Sequence, residues 1–126
     1  MSDFQLEPTP KTPKLIFDKS AGRFEISGRS IPENSIEFYK PVINWLDQYI
    51  TDPNEKTQLV IKLEYFNTSS SKCLVEILRR LEQLHKTHEV EVKWCYEEED
   101  EDMQESGEDF KEIIKLPIEM VMIKDS

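Results

Sequence analysis

Four hydroxyl side chains in a row, Thr68-Ser69-Ser70-Ser71, follow Asn67 and come directly after the β-branched and aromatic run Leu59 to Phe66. Hydroxyl residues at the start of a helix have two uses. They cap free backbone N–H groups. They also accept a phosphoryl group, which adds roughly −1.5 to −2 charge and three strong acceptor oxygens at a place the helix dipole favours. The two uses draw on the same residue types. Local spacing does not choose among Thr68, Ser69, Ser70 and Ser71 as the acceptor; a hydroxyl turned inward onto backbone N–H groups is the one less available to a kinase.

The second charged feature is the segment from Glu97 to Glu112, which holds ten acidic residues and one basic residue, Lys111. Asp100 and Asp102 begin an alternation like that of a calcium loop, but the sixth position, where a glycine is required, is Glu105. A solvated face that favours a helix N-terminus accounts for most of the run. Glu98, Glu99 and Asp100 are retained as candidates for docking a basic partner. His85 and His88 sit near a helix end, where a cationic side chain is ordinary and needs no metal. Neither Cys73, Cys95 nor the serine run has a base or an oxyanion arrangement around it, so nucleophilic catalysis has little support. With glycines only at 22, 28 and 107, no phosphate-cradling loop is spelled out.

A chain of 126 residues with 37% hydrophobic residues, among them six Phe, four Tyr and two Trp, suits one domain with a real core. Outside the acidic segment 16 acidic residues face 15 basic ones, which argues against a basic surface for nucleic acid or anionic lipid. No run approaches the roughly 18 to 20 apolar residues of a membrane helix, and the first thirteen residues lack the apolar stretch of a secretory signal. The expected location is the cytoplasm. Two cysteines are too few for a disulfide framework, and no cofactor is indicated.

The elements that position these residues follow from periodicity. Residues 1–13, with Pro8, Pro10 and Pro13, are expected to be a flexible lead-in, and residues 14–126 a single domain. Leu15 and Phe17, then Phe24 and Ile26, alternate around Asp18-Lys19-Ser20-Ala21-Gly22 as a β-hairpin, which a Gly28-Arg29-Ser30 break ends. Asn34 is an N-cap for a helix with the stripe Ile36, Tyr39, Ile43, Leu46 and Ile50, and Pro41 predicts a kink or a distinct first turn. Leu59, Ile61, Leu63 and Tyr65 give a central strand one buried face. Leu74, Ile77, Leu78, Leu81 and Leu84 stripe a second helix, and Val90, Val92, Trp94 and Tyr96 alternate as a strand parallel to the central one. A third helix with Met103, Phe110, Ile113 and Ile114, interrupted at Gly107, precedes a last strand from Pro117 to Ile123. The fold class is α/β, order ββαβαβαβ, a mixed sheet of about five strands with three helices. Trp45 and Trp94 read as core.

Three blocks carry a family resemblance: Ile31-Pro32-Glu33-Asn34-Ser35, Tyr65-Phe66-Asn67-Thr68-Ser69-Ser70-Ser71-Lys72, and the run from Trp94-Cys95-Tyr96-Glu97 through Gly107-Glu108-Asp109-Phe110. In order and interval they resemble the SiaC family of bacterial regulatory phosphoproteins, over nearly the whole chain after residue 14. The resemblance implies a fold similar to the anti-sigma-factor antagonist (STAS) domains, and partner switching rather than catalysis. It implies that Thr68 is the phosphoacceptor, because Thr68 occupies the threonine of the family's Asn-Thr-Ser-Ser motif. It further implies a protein kinase, a PP2C-type phosphatase, and a diguanylate cyclase that the unphosphorylated form binds and activates, and so a role in c-di-GMP signalling and in biofilm or aggregation control. Competing readings are an anti-sigma-factor antagonist that frees a sigma factor, a metal-dependent hydrolase using the acidic run with His85 or His88, and a purely structural subunit.

Overall fold

The computed structural model describes residues 2–124. Three strands open the chain, β1 (Phe4–Leu6), β2 (Lys14–Asp18) and β3 (Arg23–Ser30). They are followed by α1 (Ser35–Tyr49), β4 (Lys56–Phe66), α2 (Thr68–His85), β5 (Glu89–Glu97), α3 (Glu101–Ile113) and β6 (Ile118–Ile123). All six strands form one sheet in sequence order. The first two pairings are antiparallel, and β3 through β6 run parallel. Each parallel step adds a strand on the same side through a helix. Right-handed crossovers therefore lay all three helices on one face of the sheet.

Alternation along the strands shows the consequence. Leu15, Phe17, Phe24, Ile26, Leu59, Ile61, Val92 and Trp94 point to the helices and are buried. Their neighbours Glu25, Ser27, Lys62 and Lys93 line the other, uncovered face. From the helices, Tyr39, Val42, Trp45, Leu46 and Tyr49 of α1 and Leu74, Ile77, Leu78 and Leu81 of α2 complete the core. At one end Trp45 stacks on Tyr49, with ring centroids 5.3 Å apart, and both touch Phe24.

The predicted order of elements holds, with five local differences. A sixth strand, β1, lies in the segment expected to lead in to the domain; it pairs with β2 through Phe4↔Phe17 and Leu6↔Leu15. β3 continues through Gly28 to Ser30 instead of breaking there, with Gly28 at φ 98°. α3 is continuous through Gly107, which is buried against Trp94. The apolar stripe of α1 is rotated from the expected one, so that Val42 and Trp45 are buried while Ile36 is 71% exposed.

The difference nearest the hydroxyl run is a bulge. Gly28 pairs with Leu63 but Arg29 pairs with Tyr65, so Glu64 has no partner on β3. One extra residue reverses the alternation. Tyr65 therefore leaves the buried face expected for it and is 53% exposed. Phe66 turns toward the helices, with Trp94 and Phe110 at 6.1 and 6.2 Å.

Candidate functional site

Asn67 opens α2 immediately after the bulge. Its backbone N–H donates to the Ser30 carbonyl at 3.0 Å, so β4 leaves the sheet still tied to β3. Its side-chain Oδ1 accepts from Ser70 N–H at 2.9 Å, the N-cap bond expected of an asparagine here. Its amide nitrogen donates to the Pro32 carbonyl.

The hydroxyls then separate by environment. Ser70 is fully buried; its Oγ donates to the Ser30 carbonyl at 3.1 Å and accepts from Ser30 Oγ at 2.8 Å. Tyr39 Oη lies 2.6 Å from Ser30 Oγ. Because Ser30 spends its only proton on Ser70, the tyrosine is the donor of that bond. Ser35, at the first turn of α1 and 2% exposed, places its Oγ 2.7 Å from Ser69 Oγ and 3.1 Å from Ser70 Oγ. Ser69 Oγ also donates to Asn67 Oδ1 at 3.3 Å. Ser71 is half-buried and faces a hollow between α2 and α3 beside Phe66 and Val75. Ser69 is exposed but bonded into this network, whereas Thr68 is exposed and its hydroxyl stands outside it.

Three chain segments are thus stitched together by side-chain oxygens: the end of β3, the start of α1 and the start of α2. Among the described residues no buried side-chain N or O lacks a partner, as a buried polar network requires if it is not to destabilise the fold. Burial pushes the Tyr39 phenol up to about 12. A buried phenol raised above its unfolded value of about 10 stabilises the fold below that pH, and the contribution fades as pH climbs from about 10 to about 12. Two pH units correspond to about 3 kcal/mol. Tyr39→Phe is therefore expected to flatten the loss of stability between pH 10 and 12, measured as the urea midpoint against pH for variant and parent. An unchanged slope would contradict the assignment.

Electrostatically, the start of α2 is set apart from the other two helices. The first turns of α1 and α3 carry Glu37, and Glu101 with Asp102, whereas that of α2 has no acidic residue. The positive end of the α2 dipole therefore meets no side-chain anion from its own first turn, in a place where negative charge is stabilised by about 0.3–1 kcal/mol.

Glu98 and Glu99 are exposed on the turn after β5, and Asp100 caps α3 by accepting from Met103 N–H at 3.0 Å. β4 and β5 are parallel neighbours, so this acidic turn and the Asn67–Ser71 junction lie at the same edge of the sheet. A furrow of about 230 Å³ between them is lined by Tyr65, Phe66, Asp100, Met103 and Ser106 among others. His85 belongs to the far end of the 18-residue α2, about 26 Å from Thr68. His88 Nδ1 is 2.8 Å from Thr87 Oγ1. Among the described residues no group of three or more His, Cys, Asp or Glu side chains converges as a metal ion would need. Cys73 and Cys95 are both buried free thiols, and burial raises the pKa of each. No helix of the described residues is long and apolar enough to cross a membrane.

Sequence reasoning did not reach Ser30, Ser35 and Tyr39 as parts of this site. Ser30 and Ser35 lie roughly 30 to 40 positions before the hydroxyls they bond, Tyr39 joins only through Ser30, and nothing in local spacing marks such contacts.

A mixed sheet with helices on one face, presenting a hydroxyl-rich strand-to-helix junction at its carboxyl edge, is the build of an α/β regulatory domain. The chain belongs to the SiaC family: the model for "SiaC family regulatory phosphoprotein" matches residues 6–123. An uncharacterized protein of Pseudomonas aeruginosa (strain UCBPP-PA14) is 36% identical over 118 residues, spanning 93% of this chain and 94% of its own. Among solved structures, SiaC of Pseudomonas aeruginosa superposes with a TM-score of 0.88 at 33% identity, over 98% of this chain and 100% of that one. The crystal structure of the diguanylate cyclase SiaD in complex with its activator SiaC, also from Pseudomonas aeruginosa, matches with a TM-score of 0.90 at 34% identity, over 96% and 100% of the two chains.

Proposed function

We propose that this chain is a cytoplasmic, non-catalytic partner-switching regulator that binds and activates a diguanylate cyclase while Thr68 is unmodified, and is switched by phosphorylation of Thr68. Family membership and the likeness to SiaC, which is known in complex with the cyclase it activates, support the cyclase as effector. The observation that carries the switch is the separation of the hydroxyls: Ser70 is fully buried and Ser69 is bonded to Ser35, while Thr68 is exposed and outside the network. A phosphate there adds charge and bulk to the docking surface at the positive end of α2 and leaves the core untouched. A protein kinase installs it and a PP2C-type phosphatase removes it. Glu98, Glu99 and Asp100, at the same edge of the sheet, form the second part of the docking surface.

The test is incubation with the cognate kinase and ATP, mass spectrometry of the peptide across residues 63–72, and cyclase binding before and after. One phosphate on Thr68 with loss of cyclase binding is expected. Absence of any mass increase in that peptide, or phosphate that leaves binding unchanged, would sink the proposal.

A further inference from the structure

We infer that Ser35, a residue of a different helix, determines which hydroxyl of the junction is phosphorylated, by withholding Ser69 and leaving Thr68 as the acceptor. The inference rests on the proposed modification of this junction.

Thr68 and Ser69 are both exposed, adjacent, and on the first turn of α2. Exposure alone gives a kinase no reason to prefer one over the other. Their hydrogen bonds differ. Ser69 Oγ is 2.7 Å from Ser35 Oγ and 3.3 Å from Asn67 Oδ1, to which Ser35 Oγ also reaches at 3.4 Å, so the Ser69 hydroxyl is held between the two. Ser35 cannot swing away without cost, since it is 2% exposed and also 3.1 Å from the buried Ser70 Oγ. Successive residues of a helix point about 100° apart. A kinase seated over Thr68 is therefore not seated over Ser69 unless Ser69 is released.

Transfer forms a bond between the hydroxyl oxygen and the γ-phosphorus of ATP and breaks the bond from that phosphorus to ADP. The hydroxyl proton passes to a base of the kinase. Ser69 must give up its contacts with Ser35 and Asn67 before it can react; Thr68 gives up neither. Ser35 touches neither ATP nor the phosphorylated oxygen and acts as a positioning residue.

The experiment compares the full-length parent with Ser35→Ala, each incubated with the cognate kinase and ATP, with the phosphate located within residues 63–72 by fragment mass spectrometry. The parent is expected to carry phosphate on Thr68. Ser35→Ala is expected to raise the Ser69 to Thr68 ratio roughly tenfold, the size that loss of one hydrogen bond gives. Adding Ser69→Ala to that variant should remove the extra label. A purely structural loss would lower labelling at both sites and leave the ratio where it was. A folded Ser35→Ala with the parent's ratio overturns the inference and spares the proposed function; a parent unlabelled anywhere in the peptide overturns both. Should Ser35→Ala fail to fold, Ser35→Cys, which keeps the size but bonds weakly, is judged by the same ratio.

Discussion

Thr68→Ala is expected to take up no phosphate from the cognate kinase on the peptide spanning residues 63–72, while binding and activating the cyclase as the unmodified parent does. The side chain is exposed and outside the hydroxyl network, so the cost to stability should stay within about 0.5 kcal/mol. Asn67, not Thr68, supplies the N-cap bond, and alanine is a favourable residue in a first turn. Equal melting temperatures for variant and parent make any change in labelling a matter of chemistry and not of folding. Thr68→Glu should weaken cyclase binding less than phosphate does, because one carboxylate has less charge and fewer acceptors. Undiminished labelling of Thr68→Ala at a neighbouring serine would move the acceptor elsewhere and undo the argument from exposure.

Gly107→Ala is expected to destabilise the domain through a single added methyl group. A Cβ at this position would lie 2.5 Å from Trp94 Cδ1, 2.7 Å from Trp94 Nε1 and 2.7 Å from Met120 Cε. The methionine tip can move. The indole cannot easily do so: its Nε1–H donates to the Met103 carbonyl at 2.9 Å, and its ring packs on Phe66 and Phe110. Helix propensity favours alanine by about 1 kcal/mol, but forcing a methyl into a filled site costs about 1–3 kcal/mol, more where the neighbour is rigid. The net should be a loss of up to about 2 kcal/mol, and Gly107→Val should lose more. Urea midpoints for the two variants and the parent decide it; a Gly107→Ala protein as stable as the parent would show that Trp94 has room to give. Because Trp94 also supports Phe66, which ends β4 beside Asn67, the damage should reach the junction as slower phosphorylation.

Much of this protein was legible in local pattern. The apolar stripe of α2, the buried Phe24 and Ile26 of β3, the buried Val90, Val92 and Trp94 of β5 and the cap at Asn34 emerged as read, with Glu37 N–H bonded to Asn34 Oδ1 at 3.2 Å. The acidic run resolved into a solvated turn and a first helical turn closed by Asp100. Where the reading went astray, a neighbour decided the outcome. Tyr65 follows a bulge that exists only because β3 pairs as it does, and Phe4–Leu6 is a strand only because β2 offers it an edge. Gly107 looked like an interruption because glycine is a poor helix former, and the indole that demands a residue without a side chain is thirteen positions away.

By itself the sequence determined the order of elements, the location of the hydroxyl-rich junction and the residues able to serve there, since periodicity, capping and composition act over a few neighbouring residues. Only the tertiary structure decided how the environments of those hydroxyls differ. Ser30, itself bonded by Tyr39, and Ser35 arrive from β3 and α1 to occupy Ser69 and Ser70, and a hydrogen bond across some 30 to 40 residues leaves no mark in the spacing of either partner.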